Sequence, residues 1–232
     1  QGGNQGMIDA FEQRLGERVK LNSPIIGINH SNSGVTVTYK EQGEEKQISA
    51  DFLANCIPLP AFRRIPVSPA FPPAKQYVID NLVYGTYSRV IFQAKSAFWK
   101  EDNLSINMQF EHPEIWSVWQ VAEEVKTERV ALMATGPGGI TPEKATTAFK
   151  EAYPGKALNI EHAIVKDWPR DSFAPTCERA AFPMNSLAKF WPHLMEPQGR
   201  IHFAGSYADN LNWGMEAATR SANRVALEID QA

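Results

Sequence analysis

The chain has 232 residues, 43% of them hydrophobic and 21% charged, with a formal net charge of −3. These ordinary values exclude a disordered or collagen-like chain, and with no Lys/Arg run longer than two residues there is no basic stripe for nucleic acid. No apolar run approaches membrane-spanning length, the two cysteines Cys56 and Cys177 make no CxxC, and five scattered histidines form neither HExxH nor HxH, so no metal site is expected.

No signal-peptide pattern opens the chain, an absence that carries no information here; a soluble protein is expected, its location unknown with the cytoplasm favoured. The first residue is Gln rather than Met, so an upstream segment is expected too.

Met7, Ile8, Phe11 and Leu15 share one helical face, with Asn4 as cap and Gly16 as stop. Residues 19–21 read as a short strand. Residues 24–28, 35–39 and 46–49 read as a three-strand meander turned by polar, Gly-containing segments. Residues 52–57 form a continuous apolar run, as expected of a strand buried on both faces. Residues 58–73 hold six prolines in sixteen positions and read as a crossing between domains.

A helix over about 74–82 follows, then strands at 86–94, 104–110, 115–120 and 129–135. Thr141, Pro142 and Glu143 combine a cap, a proline at the first helical position and an acid in the first turn, which predicts a helix to about residue 152. Residues 160–168 read as a strand, 170–183 as an ordered loop and 186–193 as a short helix. Residues 200–205 predict a strand ending in glycine, followed by a helix over 214–229 with apolar residues at 3–4 spacing. The two ends are alike in type and differ from the strand-rich middle. That order predicts α/β and α+β structure, with the middle inserted between two halves of one α/β domain.

The closing strand–glycine–loop–helix unit puts a candidate site at the strand's carboxyl end, where open α/β sheets bind ligands. The helix start offers free N–H groups and partial positive charge. An ordinary packing unit is the bland alternative. The stretch RIHFAGSYADNLNWGMEAATRSANRVA, with Phe203-Ala204-Gly205 and Trp213-Gly214-Met215-Glu216-Ala217-Ala218, resembles the closing FAD motif of the flavin amine oxidases. That group spans monoamine, polyamine and L-amino-acid oxidases and the phytoene-desaturase-type enzymes. The resemblance implies that the Met215 N–H points to the flavin C2 carbonyl and that Gly205 lies by the ribityl-phosphate chain, with Ser206 and Gly214 in the same cofactor-binding set.

Near the start, GGNQGMIDAFEQRLGERVKLNSPIIGI resembles a second segment of that family, and implies that the Ile25 backbone contacts the adenine side of FAD. Trp168 and Cys177 reproduce the nine-residue interval of a monoamine oxidase loop whose Cys forms a thioether to the flavin. Here Pro175 and Thr176 replace that loop's two glycines, and Glu178 its following Tyr. Arg89 stands in a strand where the family usually carries a Lys that holds a water near flavin N5. An Arg cannot lose its proton, but its fork can hold the same water; a strand Arg paired with a local acid is the structural alternative.

The resemblance implies FAD as cofactor and the C-terminal part of a split, Rossmann-like FAD-binding domain. Residues 1–60 and 168–232 are assigned to that domain and 61–167 to an inserted mixed-sheet substrate domain. Arg89, Trp168 and Trp213 are the candidate catalytic residues; Ile25, Cys177, Gly205, Ser206, Gly214 and Met215 are the candidate cofactor-binding residues. Trp168, Phe173, Tyr207 and Trp213 are candidate pocket walls. The implied reaction is hydride transfer from a C–H beside an amine nitrogen to flavin, with oxygen as acceptor. A carotenoid- or porphyrinogen-type desaturase is the runner-up, because Gly214 occupies a position that is usually aromatic in amine oxidases. A non-catalytic subunit that kept the fold is the third reading. The family opens with GxGxxG, which this chain lacks. The expected partners are therefore an N-terminal FAD-binding segment or chain and a small amine or apolar substrate; a homo-oligomer is left open.

Proline fixes one backbone angle and narrows the choice at Ala174, so Pro175 disfavours the close pass that a thioether needs. Cys177 is expected near the flavin ring edge but not bonded to it. Acid precipitation of the flavin-loaded protein should leave the yellow colour in the supernatant; a flavin-sized mass on the Cys177 peptide is the contrary result.

Overall fold

The computed structural model describes residues 3–123, 126–176 and 180–232. Helix α1 (Gln5–Leu15) ends at Gly16, whose φ of 56° is open to a residue without a Cβ. Asn4 occupies the cap position but gives no side-chain cap bond, and the face carrying Met7, Ile8, Phe11 and Leu15 is exposed. The strand expected at 19–21 does not form. A 3₁₀ turn at Gly16–Arg18 is followed by Asn22 at positive φ, which turns the chain before any pairing begins.

Strands β1 (Ile25–His30), β2 (Val35–Glu41) and β3 (Glu44–Ala50) make the predicted antiparallel meander. Gln42 and Gly43 both take positive φ, as the tight β2–β3 turn requires. Val35, Val37 and Tyr39 alternate inward. β4 (Leu53–Asn55) is shorter than its apolar run. The proline-rich stretch does not simply cross the molecule. It folds into α2 (Leu59–Phe62) and β5 (Val67–Ser68), which pairs parallel with β1. Its Leu59, Phe62 and Phe71 are buried between the prolines, with Phe62 and Phe71 in ring contact with Phe203. Helix α3 (Pro73–Asn81) and β6 (Val83–Tyr84) complete this part of the first core.

A second core belongs to the middle of the chain. Strands β7 (Ser88–Ala94), β8 (Met108–Gln109), β9 (Ser117–Glu123) and β10 (Val130–Gly136) precede helix α4 (Pro142–Ala152) and β11 (Ile160–Lys166). The five strands form one antiparallel sheet in the order β11-β7-β10-β9-β8. β7 and β10 alternate strictly, so Val90, Phe92, Ala94, Leu132 and Ala134 meet Ala145, Ala148 and Phe149 of α4. Burying each large side chain there contributes about 2 kcal/mol. Thr141 caps α4 as its sequence predicts, accepting the Lys144 N–H at 3.3 Å. The other face of the sheet, with Arg89, Ile91, Trp119 and Met133, is left for a different surface.

The chain then returns to the first core. β12 (Ala180–Ala181) pairs with β6, helix α5 (Leu187–Met195) packs on α3, and β13 (Ile201–Phe203) lies parallel to β4. Helix α6 (Gly214–Asp230) buries Ala217, Ser221 and Val225. No helix among the described residues is long and apolar enough to cross a membrane.

Lys75 of α3 is only 2% exposed. Its Nζ donates to the carbonyls of His193 and Glu196 at the end of α5 and lies 3.7 Å from the Phe203 ring centre. Burial pushes its pKa down to about 7. The neutral amine keeps two N–H donors, enough for both carbonyls. Because the unfolded lysine stays protonated to near pH 10, the folded state binds fewer protons above pH 7, and stability rises with pH from there. The unfolding free energy from urea titrations between pH 7 and 9 should rise by up to about 1.4 kcal/mol per pH unit on this account. Lys75→Met should remove that slope, and an unchanged slope would show the amine is not desolvated.

Candidate functional site

β4 and β13 run parallel and end together, with Leu53, Ala54 and Asn55 opposite Ile201, His202 and Phe203. Beyond their carboxyl ends the chain turns twice, at Cys56-Ile57-Pro58 and at Gly205-Ser206-Tyr207. The buried Asn55 side chain reaches both turns. Its Nδ2 donates to the Tyr207 hydroxyl at 3.4 Å, and its Oδ1 accepts the Ile57 N–H at 3.3 Å. The Gly205 N–H donates to Ser221 Oγ at 2.8 Å, which fastens the second turn to α6.

These turns form one wall of a cavity of about 580 Å³. Cys56, Pro58, Gly205, Ser206 and Tyr207 line it from the strand ends, and Ala218 from α6. Tyr87 and Arg89 of the β7 region and Met133 of β10 line it from the open face of the middle sheet. Trp168, Ala174 and Thr176 close it from the loop after β11, and Tyr84 joins from β6. The space therefore lies where the two cores meet. A second cavity of about 600 Å³ is lined by Ile25, Arg64 and Phe173 and shares Cys56 and Pro58 with the first.

Burial raises the Tyr84 and Tyr207 phenols above their usual pKa, and partial desolvation raises the Cys56 thiol as well. Among the described lining residues Arg89 alone carries a formal charge. Its Nη2 donates to the Tyr87 hydroxyl at 2.9 Å, and its guanidinium lies 4.7 Å from the Tyr87 ring centre and 5.1 Å from that of Trp119. No local acid pairs with it among the described residues. The walls are otherwise apolar or aromatic, a composition that suits a flat, largely apolar ring system.

Helix α6 begins beside this cavity. Trp213 is its extended N-cap residue and supplies no side-chain cap bond. The N–H groups of Gly214, Met215 and Glu216 thus have no partner within the helix and form a donor set with partial positive charge. Two buried polar atoms nearby, Tyr84 Oη and Asn212 Oδ1, have no hydrogen-bond partner among the described residues.

Of the residues singled out from sequence, Arg89, Trp168, Gly205, Ser206 and Tyr207 come together in the first cavity, and Ile25 and Phe173 in the second. Gly214 and Met215 stand at the start of α6, and Trp213 is 62% exposed and lines neither cavity. Cys177 lies outside the described residues. Sequence reasoning missed Tyr84, Met133 and Cys56. Met133 was findable, because the period-2 pattern of β10 puts it opposite the buried Leu132 and Ala134; nothing in the sequence marks the other two.

Residues 1–230 match the family model described as flavin containing amine oxidoreductase. The chain is 29% identical over 237 residues to the protein called "Putative flavin-containing monoamine oxidase AofH" of Mycobacterium tuberculosis, covering 98% of this chain and 51% of the relative. It is 23% identical to an L-amino-acid oxidase of Vipera ammodytes ammodytes, covering 100% of this chain and 51% of that one. The structure of wild-type putrescine oxidase bound to putrescine superposes with a TM-score of 0.87 at 21% identity, covering 100% of this chain and 53% of that one; the likeness is one of fold. The chain thus spans about half the length of the relatives it matches.

The two glycines of the site differ in what they tolerate. Gly205 has φ 135° and ψ 167°, and an added Cβ would lie 2.8 Å from the Tyr207 ring. Gly214 has φ 77° with open space around the added atom. Gly205→Ala should cost about 3 kcal/mol, from backbone strain plus the clash, and Gly214→Ala about 1 kcal/mol from strain alone. Thermal or urea denaturation of both variants checks the order; equal losses would mean the Tyr207 ring moves aside freely.

Proposed function

The chain belongs to the flavin containing amine oxidoreductase family, and on that premise we propose that it forms the flavin-ring and substrate side of an FAD-dependent amine oxidase. The reading rests on one observation above all: an aromatic cavity opens at the joint carboxyl ends of β4 and β13, between the two cores and next to the free N–H groups of α6.

FAD fits the residues present. Gly205, Ser206, Gly214 and Met215 would hold its flavin end, and Ile25 its adenine side by backbone contact. When bound, FAD would supply the acceptor for a hydride from a C–H beside an amine nitrogen, with oxygen as the proposed final acceptor. The Met215 N–H and its neighbours favour negative charge close to the helix start. Trp168, Tyr87 and Tyr207 exclude water and orient an apolar or aromatic amine in the cavity. Arg89 holds a polar group at the sheet wall, a water molecule in the simplest version. Cavity size and aromatic lining support an oxidase over a desaturase, whose long apolar substrate calls for a tunnel.

We read residues 1–60 and 168–232 as parts of one FAD-binding unit and 61–167 as its inserted substrate unit. The packing of 59–84 with the first core supports a seam nearer residue 85. The sequence holds no GxGxxG, so the pyrophosphate contacts are proposed to come from residues outside it, in the same polypeptide or in a second chain.

The flavin-loaded protein should absorb in the visible and lose that absorbance when an amine is added without oxygen. Trp168→Ala should keep its flavin but lose about 10- to 100-fold in kcat/KM for amine, the scale of lost substrate positioning. A protein that retains FAD which no primary or secondary amine reduces would sink the reading.

A further inference from the structure

Among the described residues no carboxylate answers the charge of Arg89. Among the described residues its contacts are the Tyr87 hydroxyl and the rings of Tyr87 and Trp119, none of them anionic. Its Nη1 and Nε hydrogens have no protein acceptor there. The two aromatic contacts hold the guanidinium in place, so little freedom is lost when a ligand arrives.

The neighbouring strand sharpens the point. Arg89 is the direct cross-strand partner of Lys166 on β11, so both side chains leave the same face of the sheet. Lys166 is answered by Asp171, with Nζ to Oδ2 at 2.8 Å, and also lies 4.6 Å from the Trp168 ring centre. On the other side Arg89 faces Thr135 of β10, whose hydroxyl is engaged with Ser117 at 2.5 Å. Two cations thus stand side by side, and among the described residues only Lys166 is paired with a carboxylate. The unanswered one lines the cavity proposed to take the substrate.

A simple amine enters such a cavity as an ammonium ion and meets a cation with no carboxylate on the described walls to receive it. A diamine brings two like charges. A substrate carrying a carboxylate beside its amine brings the missing anion, and an Arg fork matches a carboxylate in plane and in spacing. We propose that Arg89 is the anchor for a substrate carboxylate, so that the substrates are amino acids with an aromatic or apolar side chain rather than simple amines or diamines. The inference rests on the amine-oxidase reading of the same cavity. It makes Arg89 a specificity-determining residue and assigns its fork to the substrate rather than to a water.

L-Phenylalanine and phenethylamine differ only in the carboxylate, and benzoate offers a carboxylate with no amine. With the flavin-loaded protein, phenylalanine should be the better substrate by kcat/KM. Arg89→Met should lower the phenylalanine-to-phenethylamine ratio of kcat/KM roughly 10- to 100-fold, the range for a lost hydrogen bond to a charged group, mainly through KM. Benzoate binding, followed by the change it causes in flavin absorbance, should weaken by a similar factor, and Arg89→Lys should restore part of both. A wild-type preference for phenethylamine, or benzoate binding indifferent to Arg89→Met, overturns the proposal. So does an Arg89→Met variant that slows reoxidation by oxygen equally after both substrates with KM unchanged, which marks Arg89 as a water holder. If neither compound reduces the flavin while benzoate still binds through Arg89, the carboxylate anchor stands and the amine-oxidase reading falls.

Discussion

Two three-residue strands about 150 positions apart, β4 and β13, pair in parallel, and the site is built on that pairing. Six residues give few ladder hydrogen bonds, so the pair depends on what surrounds it. Arg224 of α6 donates to the Phe203 carbonyl at 2.8 Å and to Glu228 at 2.6 Å, while Glu228 accepts from or pairs with the buried His202 at 2.9 Å. The C-terminal half of α6 is thereby held against β13, and its middle is tied to the turn at Gly205 through Ser221. Asn55 does the same across the strand ends, joining both turns through one amide. A short parallel pair of this kind can close only when the intervening chain has been collected, because the loop it seals is long.

The intervening chain is collected into a core of its own. Residues 90–165 bury one face of an antiparallel sheet against α4 and leave the other face to meet the first core. The cavity forms along that meeting line because neither surface is flat. The strand ends of the first core withdraw at two glycine- and proline-containing turns, and the middle sheet offers Arg89 and Met133 rather than bulky aliphatic groups. Trp168 sits where the chain returns, so the segment that joins the two cores also supplies a wall of the space between them.

The charge distribution follows from the same arrangement. Tyr84 and Tyr207 are buried phenols whose loss of a proton burial disfavours, while Lys166 and Asp171 neutralise each other at the cavity's margin. In surroundings of low polarity an uncompensated cation acts over a longer distance than at the surface. Among the described lining residues Arg89 is therefore the group that gives the cavity its charge.

Much of this protein was legible in its sequence. The 3–4 spacing after Gly214, the alternation in β2, β7 and β10 and the Thr141-Pro142-Glu143 cap are local signals, and local energetics decide such elements wherever tertiary contacts agree. The closing motif from Phe203 to Ala218 located the turn at Gly205 and the helix start at Gly214, because a glycine there answers a backbone angle that other residues resist. Local signals failed where distant contacts decided. Residues 19–21 had the composition of a strand but no neighbour to pair with, and the proline-rich stretch carried buried Phe62 and Phe71 into a core that its composition did not announce. That Tyr84, Cys56 and Met133 share a cavity with Arg89, and that Lys166 has an acid while Arg89 has none among the described residues, follows only from how the two cores meet. Burial and charge compensation are properties of surfaces brought together from far along the chain, and no local pattern encodes them.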